Sequence, residues 1–302
     1  MKHVLSADQF TLELLQEILA QAEEMEVILK RGGTNMAERK ILATLFYEPS
    51  TRTRLSFESA MLRLGGKIIS ETNTNFSSQT KGEILEDTIR MINGYADVIA
   101  IRSKMKGDAQ KAADASNIPV LNAGDGAGEH PTQSLLDLYT IHKKFKNRLG
   151  QDTLKVAFVG DLKYGRTVHS LSKILRYFEG VDMTFVAPKE IQMPSEYVKS
   201  DDKIVYELNA DVLENSDIIY DTRLQQERFD DLAEYERLKD VFVFDVPKVS
   251  TMKETAILMH PLPRINEITL GVDALPQATY FEQARNGVPI RMTLIARALG
   301  LI

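Results

Sequence analysis

Short apolar runs alternate with helix-periodic segments along most of the chain. That alternation restricts the fold to α/β, with parallel strands flanked by helices. The strand-like runs fall at 41–46, 98–101, 120–121, 156–159, 183–186, 218–220, 242–244 and 257–259. Helical periodicity is clear over 54–64, where Phe57, Met61 and Leu64 share one face and Gly65-Gly66 supplies the stop. It recurs over 135–145, 168–178 and 291–299. The first 25 residues read as an acidic amphipathic helix with Ser6 and Asp8 as cap candidates, without the apolar centre of a signal peptide. Residues 40–66 and 154–178 share one order: strand, turn, Arg-Thr, helix. The repetition predicts two lobes, each with a parallel sheet flanked by helices, with the active site in the cleft between them, because ligands of such sheets sit beyond the carboxyl ends of the strands. The helix at 132–146, preceded by a flexible turn at 124–128, is expected to connect the lobes.

Charge narrows the partners. The net charge of −6 over 302 residues argues against nucleic acid, which favours broad cationic surfaces. It also makes any gathering of arginines informative. The chain has no cysteine, which excludes disulfides, thiol nucleophiles and thiolate metal sites within it, and fits a reducing cytoplasm. No apolar run approaches the roughly 20 residues that span a bilayer, so no membrane association is expected.

Four segments could carry chemistry. Glu48-Pro49-Ser50-Thr51-Arg52-Thr53-Arg54 follows a strand and opens a helix. Free N–H groups at a helix start, three hydroxyls and the fork of Arg52 together suit a phosphate. A capped, solvated helix start accounts for the same letters, since Ser and Thr are ordinary caps. The segment 160–167 is one substitution from a Walker A loop: Arg166 stands where lysine is required, and 241–245 could pose as the Walker B strand. A P-loop nucleotidase therefore competes, although the bulky interior of the loop suits a carboxylate or phosphate clamp better. His130-Pro131-Thr132-Gln133 begins a helix, from which His130 and Gln133 could both reach a small polar ligand and polarise a carbonyl, or His130 could simply cap the core. His260-Pro261-Leu262-Pro263-Arg264 stiffens the chain after a strand and fixes its carbonyls as acceptors, or forms a rigid turn with no ligand. Lys81, Arg102, Arg223 and Arg291 are lone cations, each most simply a solvated charge or an ion-pair partner, with Arg102 and Arg223 favoured by their places just past strand ends. The five histidines lack H-E-x-x-H spacing, so neither metal nor cofactor is expected.

Taken in order, Ser50-Thr51-Arg52-Thr53-Arg54, Lys81-Gly82-Glu83, His130-Pro131-Thr132-Gln133, Gly165-Arg166-Thr167-Val168-His169, Thr222-Arg223-Leu224-Gln225 and His260-Pro261-Leu262-Pro263-Arg264 resemble the aspartate/ornithine carbamoyltransferase family over nearly the whole chain. The resemblance implies a carbamoyl-phosphate-binding domain at 1–131 with 287–302, and an acceptor-binding domain at 132–286. It implies that Ser50, Thr51, Arg52 and Thr53 bind phosphate, and that Arg102, His130 and Thr53 hold the carbonyl oxygen. Gln133 and the carbonyls of Leu262 and Pro263 would hold the amino end. Arg166, Arg223 and Gln225 would bind the acceptor's carboxylates. Lys81 and Ser77 would reach into the site of a neighbouring subunit in a homotrimer, to which a separate regulatory chain could be added. Ornithine enzymes of the family carry His-Cys-Leu-Pro where this chain has His-Pro-Leu-Pro, so the resemblance favours L-aspartate as acceptor and a place in pyrimidine biosynthesis. Some relatives have a second lysine just before Lys81, where this chain has Thr80. Ornithine transfer, a nucleotidase and a non-catalytic phosphate-binding module are the alternatives.

Overall fold

The structure is a computed structural model that describes residues 2–71, 82–126, 128–224, 232–238 and 241–302. It divides into two compact units, residues 1–139 with 286–302 and residues 140–285.

Unit 1 holds a four-stranded parallel sheet in the order β2-β1-β3-β4: β1 Ile41–Phe46, β2 Lys67–Glu71, β3 Val98–Ser103 and β4 Val120–Asp125. The helices here are α1 Leu12–Lys30, α2 Thr51–Arg63, α3 Leu85–Ile92, α4 Asp108–Ala115 and the start of α5 Pro131–Phe145. Both inner strands, β1 and β3, are almost wholly buried, as expected of a parallel sheet covered on both faces. On one side Ala43, Leu45, Ile99 and Ile101 pack with Ile89 of α3 and Ala109 and Ala112 of α4. The N-terminal helix starts later than its amphipathic pattern suggested. Ser6 caps a single 3-10 turn at Ala7–Gln9 through a capping box, while Thr11 caps α1 by accepting from Leu14 N–H.

Unit 2 holds a five-stranded parallel sheet in the order β7-β6-β5-β8-β9: β5 Leu154–Gly160, β6 Val181–Val186, β7 Lys203–Val205, β8 Ile218–Thr222 and β9 Ile257–Met259. Its helices are α6 Arg166–Leu175, α7 Ala210–Asn215, α8 Leu232–Leu238, α9 Val246–Val249 and α10 Tyr280–Arg285. Ala157, Val159, Ile219, Leu258, Phe244 and Tyr280 form the centre of a core on one side of this sheet. Helix α11, Gly287–Ala298, returns to unit 1 and packs on α1 and α2. Nine of its residues are buried, on every face, which marks a helix inside the core.

Three expectations change. The run 242–244 is no strand of the sheet: Phe244 makes only an isolated bridge to Ile268. Asp245, the acid a Walker B motif would aim at a metal, instead caps α9 by accepting from Lys248 N–H at 2.9 Å. The turn expected at 124–128 begins later, because β4 continues through Gly124 to Asp125.

Candidate active site

In unit 1 the functional side chains gather at the carboxyl ends of β1, β3 and β4. Phe46 ends β1 in register with Arg102 of β3, so the turn that starts α2 lies beside Arg102. Ser50 is the N-cap of α2, but its hydroxyl makes no capping hydrogen bond. The first N–H groups of α2 therefore lack the usual side-chain partner and remain suited to an anion. Thr51 and Arg52 are exposed, and Thr53 is 8% exposed. Partial desolvation lowers the pKa of the Arg52 guanidinium, and so does Arg102, close enough to repel it. Two cations held that near one another favour a bound anion.

Arg102 is 8% exposed. It donates to Ala123 O at 3.2 Å, and its Nη2 lies 3.3 Å from Glu48 Oε2. Burial lowers its pKa, against the opposing pull of Glu48. Its Nε has no hydrogen-bond partner among the described residues. His130 is buried at the start of α5, and its carbonyl accepts from the N–H groups of Gln133 and Ser134. Gly124 explains how Arg102 and His130 come together. Its φ is +116°, and a Cβ there would stand 3.0 Å from Arg102 Nη1 and 3.4 Å from His130 Cδ2. The guanidinium and the imidazole thus both reach the space beside Gly124 that a Cβ would fill, an arrangement that suits a carbonyl oxygen gaining negative charge. Gln133, in the first turn of α5, donates its amide to Asp137 Oδ1 at 2.9 Å.

In unit 2 the ends of β5, β8 and β9 lie side by side, with Gly160 paired to Thr222 and Tyr220 to Met259. A side chain at Gly160 would collide with the Thr222 carbonyl, so only glycine lets the two strand ends close up there. The loop after β5 turns its bulk inward: Asp161 and Leu162 are fully buried, and Asp161 Oδ1 accepts from Tyr164 N–H. A phosphate-wrapping P-loop needs that backbone exposed to its ligand, so the geometry removes the nucleotidase reading. Arg166 is the first residue of α6, and Arg223 follows β8 directly; both are half-buried.

The turn after β9 is braced from within. Leu262 adopts a φ of +55°, unusual for a side chain of its size, and the Leu262–Pro263 peptide is cis. Leu262 N–H donates to His260 Nδ1 at 2.8 Å, so the imidazole proton sits on Nε2. That nitrogen lies 2.9 Å from Glu267 Oε1 in a close but bent contact, while Glu267 Oε2 accepts from the N–H groups of Ile265 and Asn266. Burial lowers the pKa of His260, with Arg223 and Arg264 adding to it and Glu267 opposing. Asp221 is fully buried, and burial together with Glu267 raises its pKa well above the ordinary carboxyl value. A carboxyl that resists ionisation offsets less of the positive charge of Arg223, two residues away.

The structure thus groups Ser50, Thr51, Arg52, Thr53, Arg102, His130 and Gln133 in one unit, and Arg166, Arg223, Leu262 and Pro263 in the other. Lys81, Ser77 and Gln225 lie outside the described residues. Nothing in the sequence marks Gly124 as a packing requirement. Asp137 was missed, although its place four residues beyond Gln133 on one helix face was a usable signal. Arg291 is not a solvated charge: it is 2% exposed, its guanidinium 5.0 Å from the centre of the Phe57 ring.

Comparison with known proteins bears on both units. Residues 2–143 match the family described as the carbamoyl-P binding domain of aspartate/ornithine carbamoyltransferase, and residues 152–298 match its Asp/Orn binding domain. The chain is 48% identical to the aspartate carbamoyltransferase catalytic subunit of Methanococcus maripaludis over 98% of this chain and 97% of that one. It is also 48% identical to that of Methanocaldococcus jannaschii, over 99% and 98%. Among solved structures, the catalytic subunit of M. jannaschii aspartate transcarbamoylase superposes with a TM-score of 0.91 at 47% identity, covering 99% of this chain and 98% of that one. The Trypanosoma cruzi enzyme in complex with carbamoyl phosphate and aspartate does so with a TM-score of 0.91 at 38% identity, over 97% and 95%.

Proposed function

The chain belongs to the aspartate/ornithine carbamoyltransferase family, and on that premise we infer how its residues carry the reaction. The enzyme transfers the carbamoyl group of carbamoyl phosphate to the amine of L-aspartate, giving N-carbamoyl-L-aspartate and phosphate, a step of pyrimidine synthesis. Carbamoyl phosphate binds to the part formed by 1–131 and 287–302, and aspartate to 132–286. Ser50, Thr51, Arg52 and Thr53, with the N–H groups of α2, take the phosphate. Arg102, His130 and Thr53 hold the carbonyl oxygen. Gln133 and the carbonyls of Leu262 and Pro263 accept from the carbamoyl amino group. Arg166, Arg223 and Gln225 clamp the two carboxylates of aspartate.

The amine attacks the carbamoyl carbon, a C–N bond forms, the C–O bond to phosphate breaks, and the proton lost by the amine leaves on the phosphate. Negative charge builds on the carbonyl oxygen between Arg102 and His130, while Arg52 and Lys81 stabilise the leaving phosphate. Much of the rate enhancement comes from fixing two anions in reacting geometry, which on an acidic chain requires a local concentration of cations. The gathering of Arg102 and His130 at one point beside Gly124 is the observation that carries this reading. Lys81 and Ser77 complete the site of a neighbouring subunit in a homotrimer, the whole working in the cytoplasm. The name "catalytic subunit" borne by the relatives makes a separate regulatory chain a reasonable further partner.

The test is a carbamoyl phosphate assay with aspartate or ornithine as acceptor. N-carbamoyl-aspartate should form at a kcat/KM at least about a hundredfold above the ornithine value, the scale set by leaving a site's charged groups unpaired. Comparable turnover of ornithine would sink the choice of acceptor.

A further inference from the structure

Gln133 is an amide, and an amide can present either a donor or an acceptor to its ligand. The carbamoyl group ends in an –NH2, whose nitrogen lone pair is delocalised into the carbonyl, so it offers hydrogen bonds and accepts none. Gln133 serves such a group only with its oxygen toward it. One turn further along α5, Asp137 settles which way the amide lies. Its side chain is fully buried, and its Oδ1 receives Gln133 Nε2 at 2.9 Å. That bond takes up the –NH2 of Gln133 and leaves its oxygen for the substrate.

A buried carboxylate needs a counter-charge. Arg291 of α11 is a cation that bears on it: the guanidinium is buried in the same unit, burial lowers its pKa while Asp137 opposes that, and its Cζ lies over the Phe57 ring. Phe57 lies one helical turn beyond Thr53 in α2. A side chain on Gly287 would collide with Arg291 Nη1, so the start of α11 is shaped around this cation.

We propose that Asp137, backed by Arg291, is a positioning residue that fixes the Gln133 amide with its oxygen toward the substrate and so makes the site prefer a carbamoyl over an acyl group. The proposal rests on the assignment of Gln133 to the carbamoyl amino group.

Acetyl phosphate is the probe, because it replaces the –NH2 by a methyl group of similar size and leaves the rest of the ligand unchanged. The readout is selectivity: the dissociation constant of acetyl phosphate divided by that of carbamoyl phosphate. The variant is Asp137→Leu combined with Arg291→Met, which removes both buried charges together and avoids stranding one. Its selectivity should fall roughly five- to tenfold, the scale of one hydrogen bond, while inorganic phosphate binds as before. Placed on top of Gln133→Ala, the same pair of changes should alter selectivity less than about twofold, because residues acting through one another are not additive. Unchanged selectivity in the pair variant overturns the proposal, and so does an equal fall in the Gln133→Ala background. If Gln133→Ala alone keeps wild-type selectivity, the assignment of Gln133 fails and the proposal falls with it. If Gln133→Ala loses selectivity and the pair variant does not, the assignment stands and the proposal alone fails. Should the pair variant not fold, the labelled side-chain amide of Gln133 in the wild-type protein reads the same geometry. Slow proton exchange of that –NH2 supports the proposal, and exchange as fast as a free glutamine overturns it.

Discussion

Gly124 sits in a buried strand with Arg102 and His130 both close to where its Cβ would stand, and its φ of +116° lies where side chains are rarely found. Gly124→Ala would place a methyl group 3.0 Å from Arg102 Nη1. The guanidinium is the far end of a flexible chain and can move, so the protein should still fold, at a cost of about 1 kcal/mol or more for the backbone. What moves is the group proposed to meet the carbonyl oxygen. A displacement of that kind lowers kcat by roughly tenfold to a hundredfold. Steady-state kinetics beside a thermal melt checks this, and a kcat within twofold of wild type would show that the close approach has no catalytic consequence. From the letters alone, Gly124 reads as loop glycine. Only the three-dimensional neighbours turn it into a requirement, whereas Arg102 was legible because it follows an apolar run.

At the scale of elements, the apolar runs located seven of the nine strands among the described residues and stopped short at the same place in several of them. They ended at Ile101, Leu121, Val159 and Tyr220, but the strands run on through buried Arg102 and Ser103, Asn122 and Asp125, Gly160, and Asp221 and Thr222. Strand ends that enter a site are polar yet buried, so a rule based on hydrophobic runs cuts them off where function begins. The two strands that the runs missed, β2 and β7, lie at sheet edges and are largely exposed, so they carry little apolar signal. Charges also hold elements together away from the site. Asp217, nearly buried at the start of β8, accepts from Arg148 at 3.1 and 2.9 Å, from Lys253 at 2.9 Å and from Lys155 N–H at 3.0 Å. Burial would raise its pKa, but Arg148, the Lys155 amide and Lys253 outweigh that and hold it low. A carboxylate held low stabilises the fold above its unfolded pKa of about 4 and loses that contribution as pH falls through the lower, folded value. Asp217→Asn should therefore cost about 2 kcal/mol at pH 7, less than a fully buried pair because Arg148 and Lys253 are partly solvated. The gap to wild type should narrow below about pH 4. Urea midpoints at pH 7 and pH 3.5 decide it: no loss at neutral pH, or the same loss at both, refutes the account.

For the whole molecule, the proposed trimer makes a prediction that no single-chain site can meet. If Arg52 acts within its own chain and Lys81 acts on the neighbour, a working site takes Arg52 from one subunit and Lys81 from the next. Arg52→Ala and Lys81→Ala should each be nearly inactive, because each removes a cation from the phosphate end of the reaction. Dissociated and reassembled together in equal amounts, they form sites at random. A site works when its own chain keeps Arg52 and its neighbour keeps Lys81, each with a chance of one half. About a quarter of wild-type activity should therefore return in a closed ring of identical, head-to-tail interfaces. Sites contained within one chain would recover nothing, since every chain lacks one cation or the other. Subunit exchange is verified by mass with one variant isotopically heavy, and the assembled mass should be three times that of the chain. Full exchange without recovered activity would place Lys81 in its own subunit's site and return the shared-site reading to a single chain.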